Sequence, residues 1–234
     1  MKIFKFLNIF LKSFTHKKIS YSFGGMDSLI KKIFPDTNNG IYVDIGCGHP
    51  IKNNNTYLLH KRGWSGVNID LDDDNIELFD LYRSNDHNIS AAISNNEKEV
   101  DLFFYHSKSA INTINKATSN YQSATVTQVK KIKTTTLNSI LDNSKFRNLH
   151  IDFLTIDVEG SELLVLENFN FNKYKPKIIV VEYLDLSLKK LEIKNLNIIS
   201  AMKSEIYKLI VSNNYTLVNM LHSDLVFAHN DFRD

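Results

Sequence analysis

The chain has 234 residues, 43% hydrophobic and 23% charged, which is ordinary for one globular domain with a sizeable core. A net charge of +2 is too small to mark a nucleic-acid binder. The single cysteine, Cys47, excludes an internal disulfide and is compatible with a reducing cytoplasm.

Residues 1–18 carry Lys2, Lys5, Lys12, Lys17 and Lys18, no acid, and interleaved Ile, Leu and Phe. They read as an amphipathic helix whose apolar face docks on the domain. A basic helix lying on a membrane surface is the alternative. A signal peptide would need a longer lysine-free centre and a small-residue cleavage site. No apolar run approaches the ~20 residues of a membrane span. The organisation expected is an amphipathic helical segment over 1–35 and one domain over 36–234.

Ile41–Ile45 is a short apolar strand entered from the Asn38-Asn39-Gly40 turn. Asn55–Lys61 reads as a helix stopped by Gly63, and Gly66–Asp70 as the second strand. Asp72, Asp73 and Asp74 favour the start of a helix that runs to Tyr82. Ile89–Ile93 and Val100–Tyr105 look like strand pieces. Residues 106–128 are polar and without period, as in a binding loop or lid. Val129–Thr134 suits an edge strand, and Leu137–Leu141 begins a helix. Ile151–Ile156 is a strongly apolar strand. Glu162–Phe169 follows as a helix with Leu163, Leu164 and Leu166 in its buried stripe. Lys177–Val181 is a strand ending at Glu182, Ser204 caps a helix to Asn213, and Tyr215–Met220 with Leu225–Ala228 makes a closing hairpin. Such alternation predicts an α/β fold: a mostly parallel, Rossmann-like sheet with helices on both faces and an antiparallel C-terminal hairpin.

In an open parallel sheet, ligands bind beyond the carboxyl ends of the strands. Acids cluster there: Asp44, Asp70, Asp157 with Glu159, and Glu182. The stretch Asp44-Ile45-Gly46-Cys47-Gly48 places a carboxylate before two glycines that let the backbone come close to a ligand. Asp70, ending the next strand, is placed to grip ribose hydroxyls. This pattern points to S-adenosylmethionine. Asp44, Gly46, Cys47 and Gly48 would hold its methionine end, Asp70 its ribose, and the loop at Ser90 and Ala91 its adenine. A nicotinamide fingerprint would want a third glycine at Ile51 and an apolar residue at Asp44. A P-loop lysine is missing as well.

The stretches VDIGCGHPIKNNNTYLLHKRGWSGVNID, IDFLTIDVEGSELLVLENF and KPKIIVVE resemble the FkbM family of S-adenosylmethionine-dependent methyltransferases, in order and spacing over residues 40–230. Asp157-Val158-Glu159-Gly160 with its following leucines is the most specific part. Pro50 departs from the general methyltransferase loop, which often has a third glycine there. The resemblance implies a class I methyltransferase fold. It also implies methylation of a hydroxyl oxygen on a small molecule, as in enzymes of surface-polysaccharide biosynthesis.

Methyl transfer asks the protein to align donor and acceptor and to take up a proton. Asp157 is the expected base or acceptor-orienting group, with Glu159 beside it unless it caps the next helix. His49 is a further candidate for catalysis or acceptor contact. His106, Asn112 and Thr113 lie in the polar loop, where Asn112 and Thr113 suit an acceptor pocket. Trp64 and Cys47 read as core. A metal is not favoured, since strand-end acids are common without one; if present, its ligands would be Asp157, Glu159 and Glu182. The expected partner is a small-molecule or glycan acceptor and not nucleic acid. The alternatives are a lipid-linked acceptor and a non-catalytic module that binds the cofactor. The expected location is cytoplasmic, with peripheral membrane contact through residues 1–18 as the alternative. No motif encodes the oligomeric state.

Overall fold

A computed structural model describes residues 11, 19–107, 109, 111–121, 125–184 and 197–233. The helix expected over residues 1–18 therefore lies, except for Leu11, outside the described residues. Chain order begins with α1 (Met26–Ile33), β1 (Ile41–Ile45), α2 (Tyr57–His60), β2 (Ser65–Asp70) and α3 (Asp73–Tyr82). It continues with β3 (His87–Ser90), β4 (Ala92–Ile93), β5 (Glu99–Phe104), α4 (Lys116–Tyr121), β6 (Gln128–Thr135) and α5 (Leu137–Asn143). Then come β7 (Phe153–Ile156), α6 (Glu162–Leu166), α7 (Phe171–Tyr174) and β8 (Ile178–Glu182). The chain closes with α8 (Ile198–Lys203), α9 (Glu205–Ser212), β9 (Tyr215–Leu221), β10 (Asp224–His229) and α10 (Asn230–Arg233).

The main sheet runs β3-β2-β1-β7-β8-β10-β9. Its first five strands are parallel, and β10 joins β8 and β9 antiparallel. This is the α/β architecture that the sequence pattern predicts. Successive residues of the central strands supply opposite faces. Leu154, Ile156, Ile179 and Val181 enter one core with α5, α6 and α9. Phe153, Ile178 and Val180 enter a second core with α1, α2 and Trp64. Burial on both faces explains why these strands are nearly continuous apolar runs. Trp64 is core, as expected: its ring packs edge-on against Phe34 at 5.2 Å, and its Nε1 donates to the Thr37 carbonyl at 2.9 Å.

Several local expectations are corrected. The segment Ile89–Ile93 is two strands, because the Ala91 N–H turns to the Asp70 carbonyl at 2.9 Å. Strand β3 then stays in the main sheet while β4 pairs with β6 in a smaller one, ordered β4-β6-β5. Strand β6 is thus central in its sheet rather than an edge. The polar segment 106–128 is not irregular throughout, since it contains α4. Helix α6 ends at Leu166 and buries Glu162, Val165 and Leu166, leaving Leu163 and Leu164 half-buried. The short α7 follows, with Asn170 accepting from the Lys173 N–H at 3.0 Å. Among the described residues, no helix is long and apolar enough to cross a membrane.

Residues 19–35 are stitched to the sheet. Met26, Ile30 and Phe34 belong to the same core cluster as Tyr42 and Leu59. Buried Asp27 accepts from Ser20 Oγ at 2.6 Å, the Tyr21 N–H at 2.6 Å and Ser22 Oγ at 3.0 Å. The Tyr21 carbonyl in turn accepts the Asn54 N–H at 3.0 Å. Asp27→Ala strands these donors. It should cost about 1–3 kcal/mol of stability, read as a lower urea midpoint; an unchanged midpoint would show that residues 19–25 are held by apolar contacts alone.

Candidate functional site

The chain leaves β1 through a turn that favours glycine. Gly46 has φ +77° and Gly48 φ +56°, in the left-handed region that costs other residues a steric penalty. A Cβ on Gly46 would lie 1.7 Å from the Asp157 carbonyl oxygen, so the turn presses on the tip of β7. A Cβ on Gly48 would meet nothing within 4 Å, so that face of the turn is open. The N–H groups of Gly46 and Cys47 donate to the Ile69 carbonyl at 2.8 and 3.1 Å. The Gly48 N–H donates to Asp70 Oδ2 at 2.8 Å. The other Asp70 oxygen accepts from the Asp72 N–H at 2.9 Å and from Asn75 Nδ2 at 3.2 Å. Asp70 thus ties the turn to the start of α3 while lining the cleft. Burial raises its pKa.

Beneath the turn lies a polar network that sequence reasoning did not anticipate. Asp44 is buried outside the cleft lining, accepting from Thr56 Oγ1 at 2.8 Å and Asn54 Nδ2 at 3.2 Å. These bonds brace the loop after the turn. Asn54 Nδ2 also donates to the Cys47 carbonyl at 3.1 Å. The guanidinium of Arg83, itself buried, donates to Thr56 Oγ1 and Asn54 Oδ1 at 2.8 Å each, to Tyr42 Oη at 3.3 Å and to the Pro50 carbonyl. Burial lifts the Asp44 carboxyl to about 6, with the Thr56 hydrogen bond and the nearby Arg83 charge working against the rise.

Above the turn is a cleft of about 590 Å³, a size typical of small-molecule sites. It is lined by Gly46, Cys47, Gly48, His49, Asp70 and Ala91 on the β1–β2 side and by Asp157, Glu159, Glu182 and Asp224 on the β7–β10 side. Ser90 is exposed at the end of β3, outside that lining. His49 stands exposed at the rim, where its Nδ1 accepts the Ile51 and Lys52 N–H groups at 3.1 Å each. His106 is exposed and bonds the Ser107 carbonyl at 2.8 Å, away from the lining. Asn112 lines the cleft, but Thr113 is buried and donates to the Glu159 carbonyl at 2.9 Å. Phe23 and His222 stand at the mouth, ring centres 5.8 Å apart, and Phe23 is 77% exposed.

The acids of the second side are crowded. One oxygen each from Asp157, Glu159 and Glu182 lie within 4.8 Å of one another. Such a set can hold a cation. Asp157 is open to the cleft, yet protein on all sides of the cleft displaces bulk water and its pKa rises. Burial, and then the Asp157 charge, push Glu182 well above the carboxylate range. The same two causes lift Asp224 to about 7. Glu162, at the start of α6, accepts the Val158 and Gly160 N–H groups at 3.0 Å each and is raised to about 7 by burial. Glu162 therefore serves that helix start, and Glu159 lines the cleft.

The sheet order, the glycine turn at the first strand tip and the carboxylate at the second define a class I, S-adenosylmethionine-dependent methyltransferase fold. The chain belongs to the FkbM methyltransferase family: the model of the Methyltransferase FkbM domain matches residues 44–215. Among solved structures it is similar to a TehB-like SAM-dependent methyltransferase from Corynebacterium glutamicum, at 10% identity over 95% of both chains with a TM-score of 0.43. It is also similar to a methyltransferase FkbM from Methylobacillus flagellatus, at 14% identity and a TM-score of 0.49. That match covers 81% of this chain and 44% of the other, so this chain spans less than half of that relative. No curated protein matches significantly.

Two variants test the support beneath the turn. Arg83→Met removes a buried cation and takes a donor from Thr56 Oγ1, Asn54 Oδ1 and the Pro50 carbonyl. It should cost about 3–5 kcal/mol in urea unfolding; a cost below about 1 kcal/mol would mean that the network is dispensable. Asp44 binds its proton more tightly folded, at about 6, than at its ordinary 3.8. The stability from that proton is complete below about pH 4 and is lost as pH climbs through about 6. Between those limits the wild type should lose up to about 3 kcal/mol relative to Asp44→Asn. A difference independent of pH would acquit Asp44.

Proposed function

We propose that this protein transfers the methyl group of S-adenosylmethionine to a hydroxyl oxygen of a small polar acceptor, a sugar or glycan precursor. The observation that carries the reading is the contact of Gly46 with the tip of β7. It sets the open glycine turn directly beside the Asp157 and Glu159 carboxylates. The residues present suit the donor. Gly48 leaves room for close approach, and Asp70 offers a carboxylate on the cleft wall. The acidic walls favour a positively charged ligand. Bound there, S-adenosylmethionine supplies a sulfonium methyl group that the acceptor oxygen takes as the carbon–sulfur bond breaks.

The chain's own tasks are then alignment and proton removal. Asp157 accepts the proton of the acceptor hydroxyl, and its raised pKa makes it a better base than a solvated carboxylate. Glu159 stands within reach of the same oxygen position. A sugar fits the remaining lining. Lys52, Asn53, Asn55 and Asn112 offer hydrogen bonds to hydroxyls, and the exposed Phe23 ring offers a flat apolar surface to a sugar face.

Calorimetry with S-adenosylmethionine and with a nicotinamide dinucleotide tests the donor. The wild type should bind the first alone, and Asp70→Ala should bind it at least about tenfold more weakly; equal binding by the two proteins would undo the Asp70 assignment. Mass spectrometry of a panel of nucleotide-linked sugars tests transfer. Asp157→Asn should lower kcat by about 10²–10⁴ with donor affinity nearly unchanged. Full turnover by that variant would remove Asp157 from the chemistry.

A further inference from the structure

The acids at the tips of β7 and β8 form more than a wet wall. Glu182 Oε2 is fully enclosed and accepts no hydrogen bond from any described residue. The other oxygen of that carboxylate accepts from Ser223 Oγ at 3.3 Å. Its near neighbour is another acid, since the Asp157 and Glu182 carboxylates stand within hydrogen-bonding reach of each other. A buried acceptor with nothing donating to it is costly, and a facing carboxylate makes the cost larger. Something positive between these oxygens would remove both penalties.

The geometry points to a site for a hard divalent cation, of the magnesium or manganese type, held by Asp157, Glu159 and Glu182. Oxygens bound to one such ion at 2.0–2.6 Å lie about 3–5 Å apart. The three carboxylates each place an oxygen within 4.8 Å of the others, so small side-chain rotations suffice. All three are oxygen ligands, which suits hard cations and not soft ones. Three protein ligands leave roughly half of an octahedral shell for water or for the acceptor's hydroxyls. Asp224 lines the same wall and can bond a metal-bound water. For its use, though not for its existence, the site rests on the methyl-transfer reading. With the ion in place, one oxygen each of Asp157 and Glu159 would orient the acceptor through the metal, and the second Asp157 oxygen would be left to take the hydroxyl proton. Adjacent hydroxyls on the acceptor would then be preferred, because two oxygens can chelate one ion.

Manganese is the probe. Full-length protein stripped with chelator is titrated with Mn²⁺, with binding read by electron paramagnetic resonance and thermal stability followed alongside. The wild type should take up one ion and its Tm should rise with Mn²⁺. Glu182→Gln should bind at least about tenfold more weakly and lose the Tm response, while in chelator it should be no less stable than the wild type. If that variant fails to fold, Glu159→Gln gives the same comparison. Absence of Mn²⁺ binding by the wild type would overturn the proposal and mean that Asp157 and Glu182 share a proton instead. Displacement of Mn²⁺ by S-adenosylmethionine, one for one, would also overturn it by giving the acids to the sulfonium. S-adenosylmethionine calorimetry in chelator separates the two readings: donor binding without Mn²⁺ binding removes only the metal, and Mn²⁺ binding without donor binding removes only methyl transfer.

Discussion

A buried guanidinium holds the ligand-facing turn of this protein in place. The two terminal nitrogens of Arg83 donate to Pro50, Asn54, Thr56 and Tyr42, none of them a carboxylate, while its Nε is buried without a partner among the described residues. Its charge is balanced at one remove, through Thr56 and Asn54 to Asp44 and through Tyr42 to Asp86. The Tyr42–Asp86 bond is 2.5 Å, and Asp86 goes on to accept from the Gly66 N–H and Asn68 Nδ2. One cation therefore links the end of α3 with the β1 and β2 strands and the loop after the glycines. Such a network favours a single geometry, because each member satisfies a neighbour that would otherwise be buried unpaired. The glycines are permissive by nature, and the polar network beneath them supplies the fixed conformation they lack.

The opposite wall follows the reverse rule. Asp157, Glu182, Asp224 and Glu162 are crowded and desolvated, and repulsion from a neighbouring acid adds to the burial of each. Glu162 is committed to two backbone N–H groups and is structural. Asp157, Glu182 and Asp224 face the cleft instead. Structure that tolerates unrelieved negative charge on one side of a cleft stores an attraction for whatever positive group enters.

The legible part of the sequence was the part governed by local pattern. Buried parallel strands are nearly unbroken apolar runs, so Ile178–Val181 stood out, and the turn glycines followed from what a cofactor loop requires. Segments decided by distant partners were not legible. Ala91 breaks a strand-like run only because the Asp70 carbonyl is there to receive its N–H. The helix Lys116–Tyr121 has no apolar stripe; it starts because Asn115 Oδ1 accepts the Ala117 and Thr118 N–H groups at 2.9 and 3.2 Å. Asp44 reads as a ligand contact from its place before the glycines, while its bonds to Thr56 and Asn54, which arrive from a later segment, carried no signal. Arg83 carried no signal at all. A lone arginine near a helix end reads as surface, and its burial depends on Asn54 and Thr56 arriving from another segment.

The two halves of the cleft meet where the strand order reverses, between β1 and β7. One half is rigid and built of backbone amides; the other is acidic and lined by side chains. They touch through the close approach of Gly46 to the Asp157 carbonyl. That contact sets the distance between whatever the turn holds and whatever the acids hold. In-line group transfer tolerates little error in that distance. The absence of a side chain at Gly46 therefore shapes the reaction geometry as directly as any carboxylate in the cleft: a single methyl group there would push the two half-sites apart while leaving each intact.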